Sequence, residues 1–149
     1  MKPLKEFTLL KSVKSLFYLY IDYPPGPPKE GSTKLKKVCE LQMPPQFPND
    51  FPVYMQVASK HGLLYVMTKF GHYFVVEIAS ASVIGTGKIS NDPIFIGSRN
   101  SKTDGVYVIN RSGQLLGLNV DENNLVKFIN TACTHIQNNT QVGMRLAIK

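Results

Sequence analysis

A segment of about forty residues occurs twice in this chain, and the repeat constrains the fold more than any other feature of the sequence. The first copy opens at Pro52 and the second at Pro93, so the offset is 93 − 52 = 41 residues. The further apolar runs are residues 63–68, 73–76 and 83–85 in the first copy and residues 106–110, 115–118 and 125–129 in the second. Four short strands in about forty residues are typical of one β-propeller blade. The repeat therefore predicts an all-β fold of propeller blades.

The number of repeats is too small for a closed ring. A closed propeller needs roughly 4–8 blades, and 149 residues hold at most about three and a half blades at the period of the repeat. Hydrophobic residues make up 43% of the chain, which is enough for a packed core. We therefore expect a partial, open, WD40-like propeller of about two and a half four-stranded blades, which belongs to something larger.

Side-chain alternation within the repeats predicts which faces are packed. Val53, Met55 and Val57 are expected on one face of their strand, because successive side chains of a strand point to opposite sides. Residues 106–109 are apolar on both faces, as a strand between two neighbouring blades requires.

The segments outside the repeats carry weaker signals. Residues 1–15 fit an amphipathic helix, a strand or a leader, whereas residues 16–23 and 36–43 read as strands. The prolines of residues 24–28 exclude regular structure between those two strands, because proline removes a backbone donor. Residues 140–149 read as the start of a helix.

The net charge and the cysteine content limit the classes of partner and the cellular compartment that we expect. The formal net charge is +7, yet no aromatic-basic pattern of an RNA-binding module is present, so we expect no nucleic-acid partner. Lys34, Lys36 and Lys37 are read as solvating a strand edge, and binding of an anionic surface stays an alternative. Cys39 and Cys133 are read as buried thiols of a reducing compartment. No signal peptide or transmembrane stretch is recognised, so the prediction is a cytoplasmic protein.

The search for catalytic and metal-binding patterns indicates a binding or structural protein. The three histidines lie near predicted turns or strand ends, without a metal-ligand spacing, and His72 is expected to have an exposed or half-buried structural role. Residues 85–88, Gly-Thr-Gly-Lys, resemble the end of a phosphate-binding loop, but Ile89 stands where a magnesium-binding hydroxyl is needed. Asp121 and Glu122 are read as solvated turn residues. We expect no enzyme activity, cofactor or metal.

Several long segments of the repeats match one known family in the same order along the chain. They are Asn49-Asp50-Phe51-Pro52-Val53-Tyr54-Met55-Gln56-Val57, Lys60-His61, Thr68-Lys69-Phe70-Gly71, Val108-Ile109-Asn110-Arg111-Ser112-Gly113-Gln114-Leu115-Leu116, Val120-Asp121-Glu122-Asn123-Asn124-Leu125-Val126 and Met144-Arg145-Leu146-Ala147. Together they resemble the amino-terminal domain of the clathrin heavy chain. The resemblance covers about residues 36–149, is looser over residues 16–35, and does not extend to residues 1–15.

The resemblance implies a fold and a division of the chain. In that family the amino-terminal domain is a seven-bladed propeller at the end of an α-helical leg, and three legs form the triskelion. The division implied for this chain is an unmatched leader at residues 1–15, a partial propeller at residues 16–130, and the start of the helical linker at residues 131–149. The propeller would consist of a half-blade at residues 16–50 and blades at residues 51–90 and 91–130. The front blades and the leg would be missing, so we expect an exposed apolar face.

The resemblance also implies a function. The family's propeller recruits adaptors by binding short peptides between blades, which implies a vesicle-coat component in intracellular transport and endocytosis. Lys69, Arg111 and Gln114 are the candidate contacts for acidic peptide residues in the groove between the two full blades. The remaining clathrin heavy-chain blades and the clathrin light chain would be partners in a longer product. Membrane association would be indirect, on the cytosolic face of coated pits and vesicles. The alternatives are a non-functional truncated remnant and the anionic-surface binder.

Overall fold

The described chain is built almost entirely from short strands. The structure is a computed structural model that describes residues 6–11, 15–22 and 36–124. The strands in these ranges are β1 (Glu6–Lys11), β2 (Leu16–Asp22), β3 (Lys36–Gln42), β4 (Pro52–Ala58), β5 (Leu63–Thr68), β6 (His72–Glu77), β7 (Ser82–Lys88), β8 (Ile94–Asn100), β9 (Gly105–Asn110) and β10 (Leu115–Leu118). A single helical turn follows at residues 122–124. None of the helical structure in the described ranges is long and apolar enough to cross a membrane.

The strands form three antiparallel sheets in chain order. The first sheet has the order β1-β2-β3, the second β4-β5-β6-β7 and the third β10-β9-β8. Each strand pairs with the strand next to it in sequence, as hairpin-connected propeller blades do. The second sheet is the first repeat and the third sheet opens the second repeat. The expected all-β, partial and open propeller is confirmed.

Two hydrophobic cores hold the three sheets together. The first core lies between the first and second sheets and includes Leu19, Leu41 and Phe74. The second core lies between the second and third sheets and includes Met67 and Val108. All six residues of β5 are buried, and the side chains of residues 63–67 enter the two cores alternately. A strand that is covered on both faces is a nearly continuous apolar run, which explains the composition of residues 63–68.

The third sheet is packed on one face only within the described residues. Val106 and Val108 of β9 are buried against the second sheet. Tyr107 and Ile109 alternate with them and are 37% and 40% exposed. The expectation that β9 is covered on both faces is therefore wrong for the described part of the chain, because no further described sheet lies on its outer side.

A β-bulge changes the faces predicted for β4. The register with β5 shifts between Pro52 and Tyr54, so Val53 falls out of the alternation. Met55 and Val57 pack against the first core as expected, whereas Val53 is 41% exposed. One extra residue on a strand reverses the faces on one side of the bulge, and the period-2 pattern does not reveal it.

Residues 6–11 form a strand, one of the structures that the sequence left open for the amino-terminal segment. This strand, β1, pairs with β2 along its whole length, and Phe7 and Leu9 pack against the first core. The predicted strand at residues 125–129, the helix at residues 140–149, the proline-rich loop at residues 24–28 and Cys133 lie outside the described residues. The boundaries at residues 15, 50, 90 and 130 stay predictions.

Candidate functional site

The turns that carry Lys69 and Arg111 are structurally equivalent in the two repeats. The amide of Lys69 donates a hydrogen bond to the carbonyl of Phe51 at 2.8 Å, and the amide of Arg111 donates to the carbonyl of Pro93 at 2.8 Å. The two donors are 42 residues apart, since 111 − 69 = 42, and the two acceptors are also 42 residues apart, since 93 − 51 = 42. Each bond ties a β-hairpin turn to the segment before the first strand of its own sheet. Lys69 and Arg111 therefore occupy equivalent positions, directly after β5 and β9.

The second and third sheets bring these two basic residues to one pocket. The pocket has a volume of about 210 Å³ and is lined by Lys69, Pro93, Phe95 and Arg111; we call it the Lys69–Arg111 pocket. The amide of Ile94 donates to the carbonyl of Lys69 at 2.8 Å, which ties the turn of one sheet to the first strand of the next. The candidate cations are thus neighbours across the junction of two sheets.

The charges and the aromatic ring of this pocket are available to a ligand. The Lys69 ammonium donates to the carbonyl of Ile94 at 3.0 Å and lies 5.4 Å from the centre of the Phe95 ring. Phe95 is 70% exposed, and Arg111 is exposed. Neither Lys69 nor Arg111 forms an ion pair with a carboxylate in the described ranges. The pocket therefore offers two cations that no described carboxylate neutralises, beside an exposed aromatic surface.

Gln114, the third residue predicted from the sequence, lies on the Arg111 turn but does not line the pocket. Its side-chain oxygen accepts a hydrogen bond from Nδ2 of Asn110 at 2.8 Å, and its backbone amide donates to Oδ1 of Asn110 at 2.9 Å. Asn110 Nδ2 also donates to Oγ of Ser90 at 3.0 Å. Gln114 thus shapes the turn that presents Arg111.

A buried polar network supports the Lys69 turn, and the sequence did not single out its central residue. Asp50 is 1% exposed and its carboxylate accepts hydrogen bonds from the amides of Phe51 and Phe70 at 2.9 and 3.0 Å. The hydroxyl of Thr68 donates to Oδ2 at 2.6 Å, and Nδ1 of His72 lies 2.7 Å from the same oxygen. A buried carboxylate needs such donors because they replace the hydrogen bonds that water forms with an exposed carboxylate. His72 therefore has a structural role, as expected, but it is buried, whereas the sequence predicted an exposed or half-buried position.

A second polar cluster joins the β4–β5 turn to the β8–β9 turn and to the segment after β10. Burial by itself would raise the pKa of Asp104, but hydrogen bonds from the Lys60 amide and the Arg99 guanidinium lower this pKa overall. Glu122 accepts a hydrogen bond from the Lys60 ammonium, which lowers the pKa of that exposed carboxyl. His61 Nε2 lies 3.1 Å from Glu122. Glu122 is exposed to solvent, as expected from the sequence, and it also forms a contact between the repeats that the sequence did not predict.

The remaining candidate chemistries can be placed on the fold. Residues 85–88 lie in β7, so their Gly-Thr-Gly-Lys sequence is part of a strand and not a loop before a helix. Cys39 is a buried free thiol, and burial raises its pKa to about 11, so it remains protonated at neutral pH. No group of three metal-ligating side chains occurs within residues 6–11, 15–22 and 36–124.

Comparison with known proteins identifies the family. No family model matches the chain. It is 38% identical to clathrin heavy chain 1 of Arabidopsis thaliana over 143 residues, which are 96% of this chain and 8% of that protein. It is 40% identical over 121 residues to clathrin heavy chain 2 of Oryza sativa subsp. japonica and 35% identical over 125 residues to clathrin heavy chain 2 of Homo sapiens. These matches cover 81% and 83% of this chain and 7% of each relative.

The alignment also bears on the amino-terminal segment. The 143 matched residues exceed the 149 − 15 = 134 residues from position 16 onward, so the similarity to the plant protein includes part of residues 1–15. The match begins at residue 7 or earlier, since 149 − 143 = 6, and therefore includes at least residues 7–11 of strand β1. The chain spans less than a tenth of the length of the curated relatives it matches. The stacked antiparallel sheets and this similarity together show that the chain belongs to the clathrin heavy-chain family and corresponds to a short segment of its members.

Proposed function

We propose that this chain acts as a clathrin-like component of vesicle coats and docks short peptides of adaptor proteins between its second and third sheets. Family membership supports the coat role. The observation that carries the docking role is the convergence of Lys69 and Arg111 on one pocket beside Phe95. The two cations come from equivalent turns, so the site depends on the stacking of two blades.

The chemistry of the pocket selects an acidic and apolar peptide. Pro93 and the exposed ring of Phe95 offer apolar contact surface, and the cations of Lys69 and Arg111 complement carboxylates. Arginine can bind a carboxylate through two parallel hydrogen bonds, whereas lysine acts as a point charge. Each exposed ion pair contributes up to about 1 kcal/mol, so the expected affinity of such a small site is weak. Gln114 is proposed to contact the peptide just outside the pocket, from the same turn as Arg111.

The docking role is tested by peptide titration of the full chain. A fluorescent peptide with two adjacent acidic residues and one large apolar residue is titrated with wild-type protein and with Lys69→Ala and Arg111→Ala. We expect each variant to raise the dissociation constant by up to about fivefold, in line with one exposed ion pair. Lys102→Ala removes an exposed lysine outside the pocket and is the matched control. Equal affinities for all four proteins would contradict the proposal.

The proposed cellular setting follows from the coat role. The chain would lie on the cytosolic face of coated pits and coated vesicles, with indirect membrane association through adaptors. In a longer product, the other heavy-chain blades and the clathrin light chain would be partners. Residues 16–50, 51–90 and 91–130 would then be successive blades, and residues 131–149 the first part of a helical linker. Co-localisation of the tagged chain with coated pits tests this setting, and a uniform cytosolic signal would count against it.

A further inference from the structure

The outer face of the third sheet carries a row of large apolar side chains that crosses all three strands. Ile109 of β9 pairs with Ile96 of β8 on one side and with Leu115 of β10 on the other. Paired residues of neighbouring strands point to the same face of a sheet, so these three side chains lie side by side. Ile96 and Leu115 are 61% and 63% exposed, and Ile109 is 40% exposed. We call this the Ile96–Leu115 row, and it is open to another surface that packs on it.

The next row of residues on the same face gives it an even surface. Tyr107 pairs with Ser98 on one side and with Gly117 on the other, and both of these neighbours are small. A Cβ at position 117 would lie 3.3 Å from Cε1 of Tyr107, so the tyrosine ring lies over Gly117 and close to the sheet. Two sheets that pack face to face are about 10 Å apart, and an even surface allows this approach.

The first repeat uses the equivalent positions to hold a neighbouring sheet. Tyr107 and Ile109 correspond to Tyr65 and Met67, since 107 − 65 = 42 and 109 − 67 = 42. Tyr65 and Met67 are 2% and 0% exposed, because they lie in the core between the second and third sheets. No sheet of the described residues lies beyond the third one. Tyr107 and Ile109 therefore have the side chains of a packed face, without a described partner.

The lack of charge on this face favours a second copy of the chain as the partner. The two rows consist of uncharged and exposed residues, which are Ile96, Ser98, Tyr107, Ile109, Leu115 and Gly117. Two such faces meet without repulsion and without burying an unpaired charge, which is costly. The outer face of the first sheet differs, because it carries the exposed Glu40 beside Val38. A head-to-tail contact would therefore bury a carboxylate under the apolar row.

The size of the face sets the expected strength of the contact. The longest of the three strands, β8, has 7 residues. At about 4.8 Å between strands and about 3.3 Å per residue, the face measures roughly 15 Å by 20 Å. This is smaller than a standard interface, to which each partner contributes about 800 Å². We therefore expect a dissociation constant above about 1 µM, so that monomers prevail in dilute solution.

We propose that two copies of this chain form a two-fold symmetric dimer through the outer faces of their third sheets. The Ile96–Leu115 row of one copy covers the same row of the other copy. Ile109 is the middle residue of this row, so two-fold symmetry places it opposite Ile109 of the second copy. The dimer uses neither Lys69 nor Arg111, and it does not depend on the docking function proposed above.

Oppositely charged replacements of Ile109 test the two-fold symmetry. The full chain carries either Ile109→Asp or Ile109→Lys, and sedimentation velocity is measured over concentrations on both sides of the wild-type dissociation constant. We expect each variant alone to raise the dimer dissociation constant by at least about tenfold, because two like charges meet across the symmetry axis. An equimolar mixture should form the heterodimer in preference to either homodimer, because opposite charges then face each other. Ile109→Leu is the uncharged control and should associate like wild type.

Further variants separate this dimer from other ways of covering the face. Lys69→Ala should leave the dimer unchanged, whatever its effect on peptide docking. Weakening by Val38→Lys would indicate a head-to-tail contact and would overturn the proposal. A monomeric mixture of the two charged variants would also overturn it, as would single variants that associate like wild type.

Wild type that stays monomeric at every concentration would overturn the proposal as well. Thermal melts show whether each variant is folded. If the charged variants at Ile109 fail to fold, the more exposed Ile96→Lys keeps the test valid, because it should also weaken the dimer. A dimer that is insensitive to Ile96→Lys would contradict the assignment of this face.

Discussion

The carboxylate of Asp50 and the imidazole of His72 are joined at 2.7 Å inside the protein, where both side chains are buried. This contact connects the loop before the first repeat to the strand that follows the Lys69 turn. Thr68 and the amides of Phe51 and Phe70 complete the shell of donors around the carboxylate. The position of Lys69 in its pocket therefore depends on a residue 19 positions earlier, since 69 − 50 = 19.

Replacement of Asp50 tests the importance of this network for stability. We expect Asp50→Ala to lower the free energy of unfolding by about 3–5 kcal/mol, because it leaves several buried donors without an acceptor. Urea denaturation followed by circular dichroism measures the change. Asp92→Ala is the matched control, since Asp92 accepts a hydrogen bond from Ser112 at an exposed position, and it should cost less than about 1 kcal/mol. Similar costs for the two variants would show that the network contributes little.

Two isoleucines near each other on β8 test the assignment of packed and open faces. Ile94 is 1% exposed in the second core, whereas Ile96 is 61% exposed on the outer side of the third sheet. We expect Ile94→Ala to cost about 2–5 kcal/mol of unfolding free energy, from lost burial and the cavity left behind. The same replacement at Ile96 should cost less than about 1 kcal/mol. Urea denaturation compares them, and a larger cost at Ile96 would mean that its face is covered in solution.

The open face of the third sheet should make the isolated chain self-associate. Ile96, Ile109 and Leu115 form an exposed apolar surface together with Tyr107. Such a surface promotes association in water. We expect the double variant Ile96→Lys, Leu115→Lys to shift the sedimentation velocity profile toward monomer at equal protein concentration. Val38→Lys, on the first sheet and also exposed, is the control. An unchanged profile of the double variant would indicate that this face does not mediate the association.

The polar cluster in which the Lys60 amide and the Arg99 guanidinium donate to Asp104 predicts a pH dependence of stability. The pKa of Asp104 is held below its ordinary value of 3.8 in the folded chain. A depressed folded pKa stabilises the fold above the unfolded value, and this stabilisation is lost as the pH falls through the folded pKa. The stability of Asp104→Asn should therefore depend less on pH than that of wild type below about pH 5. Urea midpoints from neutral to acidic pH measure this, and parallel curves for the two proteins would contradict it.

The repeat in the sequence was sufficient to predict the stack of sheets, and the site was predictable only where it follows the repeat. Lys69 and Arg111 share a pocket because equivalent turns of neighbouring blades meet. Gln114 was chosen by residue type, which does not reveal that Asn110 holds its side chain. Asp50 lies in a loop of no periodicity, so its contacts with Thr68 and His72 depend on turn geometry that no local pattern encodes.

A double-mutant cycle between Arg111 and the acidic residues of a bound peptide tests the docking site most directly. Four dissociation constants are measured, for wild type and Arg111→Ala with an acidic peptide and with its glutamine counterpart. A direct ion pair predicts a coupling free energy of about 0.2–1 kcal/mol, because each single change removes the same interaction. A coupling of zero, with the acidic peptide still bound, would show that its carboxylates do not contact Arg111 and would contradict peptide docking at this pocket.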